Sequence, residues 1–165
     1  MGHNHVISAH DINGAVFVRQ PRTRSEFELS LPVIELTVDD PDARRAAGDN
    51  FSSQPSAADI DGTRENMLAA RVLDARRYPV ITVSGRLVSA GEAPRLAYDI
   101  SLKEQHLQGT LPVTLTIQDD ELTVDGALEL SHADLGLEPY RVMMGALRVA
   151  DVLTLRFRVT ATRQQ

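Results

Sequence analysis

Three histidines near the start of the chain have the residue types and spacing that could bind a metal ion. In a strand, His3 and His5 would project from one face, and His10 or Asp11 could complete the ligand set. The competing interpretation is structural, because such histidines are commonly solvated or hydrogen-bonded to the rim of a sheet. A metal-binding or stress-related function that uses His3, His5 and His10 is therefore one hypothesis.

Catalytic patterns are poorly represented in the sequence. Ser131, His132 and Asp134 have the residue types of a charge-relay triad, but a triad is defined by geometry in the fold and not by adjacency along the chain. No serine lies in a Gly-x-Ser-x-Gly elbow, and no glycine-rich loop matches a phosphate- or dinucleotide-binding fingerprint. The absence of cysteine excludes a thiolate nucleophile, a thiolate metal site and a disulfide framework. We therefore expect a protein that is not an enzyme and has no cofactor.

Length and charge narrow the remaining classes of protein. The 165 residues fit one domain with a sizeable core, and we take 1–165 as that single domain. The 17 basic and 23 acidic residues, with a net charge of −6, disfavour nucleic acid and anionic membrane surfaces as partners. No segment approaches the ~20 apolar residues of a membrane span, and residues 1–5 do not begin an export signal. The sequence as written predicts a soluble cytoplasmic protein, or a periplasmic one if a leader has been removed.

Apolar and polar residues alternate over most of the chain, which is the pattern of strands with one buried and one solvated face. The clearest strands are predicted at 26–31, 96–102, 113–117, 122–130 and 153–159. Residues 118–121 predict a hairpin turn between two of them. Weaker alternation predicts strands at 14–18, 33–38 and 80–88, so that the total is about seven or eight.

One segment departs from this alternation and predicts the main helix, near residues 57–72. Its apolar residues recur at spacings of three and four, as in an amphipathic helix, and Thr63 could cap it. A further turn of helix is predicted at 42–47, within a polar surface loop. We expect the apolar side of the main helix to lie against the open end or the side of the sheet.

Short antiparallel strands with one apolar face each form either a sandwich or a closed barrel, since both bury the same faces. An eight-stranded barrel is just wide enough to be filled by its side chains or to enclose one small ligand. Aromatic residues make up only 4% of the chain and tryptophan is absent, which favours an underfilled interior. Aliphatic side chains can also pack densely, so both the filled and the open interior stay possible at this point.

Two segments resemble the YceI-like family of lipocalin-like barrels. The first is Arg-Glu-Asn-Met-Leu at 64–68, followed by 73–81 with its aspartate, Tyr-Pro pair and strand. The second is Asp-Leu-Gly-Leu at 134–137, followed by a proline and by 145–152, before the final strand. A weaker match at 111–115 lies between them, so the resemblance runs from about Gly14 to the C-terminus.

The resemblance implies an all-β, antiparallel lipocalin-like barrel of about seven to eight strands, whose pore binds the apolar tail of a polyisoprenoid without covalent chemistry. The partner would be an apolar lipid, either an isoprenoid quinone or a polyprenyl chain. Two departures from the family bear on this: its opening strand has no counterpart before residues 2–6, and the polar run 103–106 replaces a glycine. Exposed strand edges would also permit a homodimer.

On this interpretation the protein is a carrier, and burial of apolar surface at roughly 25 cal/mol per Å² would supply most of its affinity. Arg64 would face the headgroup of the ligand, or would instead pair with Asp61 or Asp74 and hold the helix over the barrel. A structural or interaction module with a packed core is the third hypothesis. The predicted lumen is lined by Phe27, Leu29, Leu31, Met67, Ile81, Val83, Tyr98, Ile100, Leu115, Leu128, Leu155 and Phe157.

Overall fold

The computed structural model describes residues 4–137, 141–142, 147–148 and 151–164. Seven of the strands within these residues form the main sheet, and the rest form two small two-stranded sheets. The strands are β1 (Ile7–Ser8), β2 (Asn13–Phe17), β3 (Glu26–Pro32), β4 (Thr37–Val38), β5 (Val80–Ser89), β6 (Arg95–Leu102), β7 (Gln105–Gln118), β8 (Glu121–Ser131), β9 (Arg141–Val142), β10 (Leu147–Arg148) and β11 (Val152–Thr162).

The main sheet is antiparallel throughout and curls into a half-barrel, in the order β11-β8-β7-β6-β5-β3-β2. The two small sheets pair β1 with β4 and β9 with β10. The predicted all-β class, the antiparallel lipocalin-like architecture and the number of strands are therefore confirmed. The predicted enclosure is looser than expected, because β2 and β11 at the two edges of the sheet are not paired with each other.

Two α-helices lie in the long connection between β4 and β5. Helix α1 (Pro41–Ala47) is capped by Asp40, whose carboxylate accepts hydrogen bonds from two backbone N–H groups of the first turn. Helix α2 (Ala57–Leu68) begins with a capping box between Ser56 and Asp59, which satisfies two of its free N–H groups. Short 3₁₀ turns occur at Arg22–Arg24, Val33–Glu35 and Asp49–Phe51.

The main helix is shorter than its sequence pattern predicted. Its cap is Ser56, and Thr63 lies in the middle of the helix, so the prediction that Thr63 caps it was wrong. The helix ends at Leu68 because Ala69 has an extended backbone, with φ −65° and ψ 158°. No side chain of α2 is fully buried, so the helix rests on the fold without penetrating its core.

The predicted strand at 33–38 was also largely wrong. A 3₁₀ turn at Val33–Glu35 follows Pro32, and only Thr37–Val38 is strand. Val33 and Leu36 are both buried in one core cluster. Residues three positions apart share a face in a helical turn and not in a strand, so burial of both selects the turn.

Strand β7 is longer than predicted, since it begins at Gln105 and includes half of the polar run at 103–106. Its first half pairs with β6 as far as Pro112, and its second half pairs with β8 from Val113 onward. Proline lacks a backbone N–H, which makes Pro112 a natural place for β7 to change neighbours. The first half was not predicted because Gly109, which has no side chain, leaves a gap between Leu107 and Leu111 in the apolar alternation.

Candidate functional site

The strand register places one continuous apolar face across the main sheet. Phe27 lies opposite Gly85, which lies opposite Tyr98, which lies opposite Gly109. Directly opposed residues of antiparallel strands share a face, so rows of this kind identify the two faces of the sheet. The structure brings together on the apolar face all the predicted strand residues, namely Phe27, Leu29, Leu31, Ile81, Val83, Tyr98, Ile100, Leu115, Leu128, Leu155 and Phe157.

Aromatic rings on this face lie over glycines of the neighbouring strand. A Cβ built at Gly109 would be 2.6 Å from the Tyr98 hydroxyl, and one at Gly85 would be 2.8 Å from the Phe27 ring. The Phe157 ring is similarly close to Gly126. Each ring thus occupies the space of a missing side chain and lies along the wall. The aromatic rings therefore pack against the apolar face of the sheet itself.

The apolar face is only partly shielded from solvent. Most of the predicted residues are half-buried, and Leu155 and Ile117 on this face are 39% and 53% exposed. We call this partly exposed apolar face, formed by the predicted strand residues and their neighbours, the trough. An open apolar surface of this kind marks a place where an apolar partner can be accommodated.

The opposite face of the sheet is polar and suits a different ligand chemistry. Glu28, Ser84, Asp99 and Gln108 form one row across four strands of that face. The hydrogen bonds from Gln108 and His106 hold the pKa of Asp99 below its usual value. Two shallow grooves on this face are lined by polar side chains of these rows together with glycine and apolar residues. The two faces of the sheet therefore differ in chemistry, with the apolar surface concentrated in the trough.

One end of the trough is covered by a core that joins the sheet to α2. Val33, Leu36, Leu73 and Leu102 are buried together, and the side chains packed against them are Ala9, Met67, Leu68, Val72, Ala75, Ile81, Leu135 and Leu137. Ile81 and Leu102 belong to the apolar face of the sheet. The predicted lumen residue Met67 therefore lies in this cap, at the end of the trough and not along its wall.

Arg64 fastens α2 to the segment before β4. Its guanidinium donates hydrogen bonds to the main-chain carbonyls of Ile34 and Leu36. The carboxylate partners predicted as the alternative, Asp61 and Asp74, are not the groups it contacts. Arg64 thus holds the helix in place as expected, but its hydrogen-bond acceptors are main-chain carbonyl oxygens and not carboxylates. A headgroup role for Arg64 stays a prediction, and two of its donors are already engaged.

A buried carboxylate ties the N-terminal segment to α1 and α2. Asp39 accepts hydrogen bonds from His5 Nδ1 at 2.6 Å, from Val6 N at 2.9 Å and from Arg44 at 2.5 Å. Burial by itself would raise the pKa of Asp39, but these hydrogen bonds outweigh it and hold the pKa below its usual value. His5 Nε2 is in turn 3.2 Å from Thr63 Oγ1 on α2. We call this cluster the clamp, because it holds the N-terminal segment against α1 and α2.

The predicted metal ligands are not assembled in the described part of the chain. Both ring nitrogens of His5 have protein partners, and His10 is exposed. His3 lies outside the described residues. Within residues 4–137 and the other described segments, no group of three or more His, Asp or Glu side chains is arranged to hold a metal ion.

The Ser131, His132 and Asp134 sequence forms a turn and not a triad. Asp134 accepts hydrogen bonds from the backbone and hydroxyl of Ser131, and these hold its pKa below the usual value. The ring of His132 turns away and contacts the carbonyl oxygen of Asp151 at 3.0 Å. Serine and histidine therefore share no hydrogen bond that could activate the hydroxyl.

The sequence prediction missed several residues on which the trough depends. The buried members of the apolar face within the described residues are Leu87, Leu102, Leu111, Val113 and Leu130. The same alternation that identified their neighbours also includes these positions. Periodicity cannot distinguish a packed position from an open one on the same face, because that difference depends on what other elements cover it.

Comparisons with known proteins give the fold and little more. No family model and no curated protein matches the chain. Solved structures match it well: the YceI protein of Campylobacter jejuni has a TM-score of 0.68 at 8% identity, with 100% of this chain and 88% of that one covered. A mutant of that protein gives a TM-score of 0.70 at 7% identity over the same shares. BcnA of Burkholderia cenocepacia gives 0.66 at 15% identity, with 92% of this chain and 84% of that one covered.

Proposed function

Because the chain has a YceI-like fold, we propose that it is a non-catalytic carrier that holds an isoprenoid-type lipid, such as an isoprenoid quinone or a polyprenyl chain, along the trough. The main support for the proposal is that one face of the sheet is apolar. Its aliphatic and aromatic side chains lie opposite one another across neighbouring strands and stay partly exposed. A chain that folds alone without an apolar partner has little reason to leave such a face accessible.

Hydrophobic burial is the force that would hold the ligand. Covering about 400 Å² of apolar surface would contribute about 10 kcal/mol, from which the entropic costs of association are subtracted. The aromatic rings of Phe27, Tyr98 and Phe157 lie along the wall over glycines, so an extended chain can approach the sheet closely. Branched methyl groups of an isoprenoid chain fit against Leu, Val and Ile side chains without needing a polar partner.

The local hydrogen bonds of the 131–134 turn favour a binding role over an enzymatic one. Its serine, histidine and aspartate each have a partner within the turn or on the neighbouring backbone, so these groups serve the turn itself. None of the described helices is long and apolar enough to cross a membrane.

The test is to identify what the purified protein carries and what it binds. Organic extraction followed by mass spectrometry should recover an isoprenoid lipid from the protein, and delipidated protein should bind added ubiquinone-8. Neighbouring residues on opposite faces of β5 supply matched variants: Val83→Asn in the trough should weaken ubiquinone-8 binding at least tenfold, whereas Ser84→Asn on the polar face should not. Lipid-free protein that also fails to bind ubiquinone-8, or equal binding by both variants, would reject the carrier function.

A further inference from the structure

The outer edge of β11 is a long strand edge that no other described strand covers. Over its 11 residues β11 pairs with β8 in an unbroken register, from Val152 opposite Ser131 to Thr162 opposite Glu121. Within the described residues, no strand pairs with its other side. The strand contains no proline and no bulge, and its two charged residues, Arg156 and Arg158, lie on one face of it, so most of its exposed edge lacks the features that block pairing. The opposite edge, β2, is only 5 residues long.

Antiparallel pairing between the two edges of the sheet cannot provide hydrogen-bond partners for the backbone groups of β11. Its seven strands alternate in direction, so the first and the last of them, β11 and β2, run the same way. An antiparallel closure needs an even number of strands. The N-terminal strand β1, which could have supplied another, pairs with β4 instead. The backbone groups along β11 therefore need a partner from elsewhere or remain in water.

The chain also exposes more surface than a compact monomer of its size. Its accessible surface is 11315 Å², whereas a compact folded protein of the same mass exposes about 8,100 Å². The excess is several times the ~800 Å² that each partner buries in a standard protein interface. Apolar side chains on β11 contribute to it, since Val152 is 62% exposed and Leu155 is 39% exposed.

We infer that two copies of this chain pair antiparallel along their β11 edges, about a two-fold axis at Leu155, so that their troughs join into one apolar surface. Each copy then contributes Leu153 and Phe157 beside the partner's trough, directly opposite each other across the axis. This inference extends the carrier role and therefore rests on the proposed function. The joined surface suits a lipid chain too long for one half-barrel.

The two arginines on the polar side of β11 disfavour registers centred near Phe157, and we place the axis at Leu155. Pairing centred on Phe157 would set Arg156 opposite the second copy's Arg158, and like charges directly opposed destabilise a sheet. Pairing centred on Leu155 sets Arg156 opposite Thr154, which has no charge. The same register keeps apolar residues opposite one another on the trough side, with Leu155 opposite its own copy.

Charge variants on one face of β11 test the interface and its register. In the inferred register, residue 154 of each copy lies opposite Arg156 of the other copy, so this pair occurs twice in the dimer. Thr154→Arg should therefore weaken dimerisation at least tenfold, whereas Thr154→Glu should strengthen it. Thr162→Arg on the same face lies beyond the paired segment and is the matched control. Light scattering during gel filtration of the full chain, with and without ubiquinone-8, should give twice the 18.1 kDa of one chain.

Cysteine crosslinking locates the axis, because the chain has no cysteine of its own. Leu155→Cys should form a disulfide-linked dimer on mild oxidation, since directly opposed strand residues lie within disulfide reach. Ala15→Cys on the edge of β2 and Thr162→Cys should not. A monomeric mass at 100 µM, or crosslinking of the Leu155→Cys variant no greater than that of the two control variants, would overturn the inference. Dimers that bind no lipid refute the carrier function alone, and lipid-loaded monomers refute the pairing alone.

Discussion

The ring of Tyr98 on β6 lies over Gly109 on β7, and a methyl group added at Gly109 should destabilise the fold. The new Cβ would lie 2.6 Å from the Tyr98 hydroxyl and 2.8 Å from Cζ, which forces the ring to move. Overpacking of this kind costs about 1–3 kcal/mol, and replacing glycine in a strand returns about 0.5–1 kcal/mol. These two ranges leave a net loss in the free energy of unfolding for Gly109→Ala of about 0–2.5 kcal/mol, with a midpoint of about 1 kcal/mol. In a chain of this length, a loss of about 1 kcal/mol lowers the Tm by about 2–4 °C.

Urea unfolding followed by far-UV circular dichroism measures this loss, because the chain has no tryptophan to serve as a fluorescent probe. Gly62→Ala in α2 is the matched control: its added Cβ meets nothing within 4 Å, and it should stabilise the protein by about 0.5–1 kcal/mol. In a Tyr98→Leu background, Gly109→Ala should cost little or nothing. An equal loss in both backgrounds would show that the ring contact does not set the cost.

Three further predictions concern the clamp and the cap of α2. Arg44→Met should lower the free energy of unfolding by about 3–5 kcal/mol, because it leaves the carboxylate of Asp39, which is 0% exposed, without the guanidinium that it contacts. The control is Arg45→Met, which breaks an exposed ion pair with Asp42 and should cost under about 1 kcal/mol in the same urea titration. Since the pKa of Asp39 is lowered in the folded protein, its stabilisation is present above the unfolded value of about 3.9 and is lost as pH falls through the folded pKa. The urea midpoint should therefore fall below about pH 4, and Asp39→Asn should flatten that part of the profile; an unchanged profile contradicts the assignment. Ser56→Ala should remove the capping box of α2 and cost about 1 kcal/mol, and no change in thermal stability would show that the cap is dispensable.

The apolar face could be predicted because it depends on a local rule. Side chains of a strand alternate between two faces, so residues such as Leu29, Val83 and Ile100 are assigned to one face from the sequence, and the register joins those faces across the sheet. The glycines under the aromatic rings carried a weaker signal. Gly126, for example, lies opposite Phe157, and nothing in the residues around this glycine identifies that ring.

The clamp around Asp39 could not be predicted in the same way. Its hydrogen bond to His5 joins residues 34 positions apart, and nothing in the residues around either one identifies the other. The same histidine invited a metal hypothesis, since imidazole serves equally well as a ligand and as a hydrogen-bonding group. Which role it takes depends on the partner that the fold brings to it.

The sequence by itself determined the strand class, the approximate number of strands and the chemical character of each face, because all three follow from periodicity over a few residues. Only the tertiary structure decided that β1 pairs with β4, that β7 changes neighbours at Pro112 and that the edge of β11 stays open. Those outcomes depend on competition between distant segments for the same backbone hydrogen bonds. The energies that settle such a competition are summed over the whole chain, so no local pattern contains them.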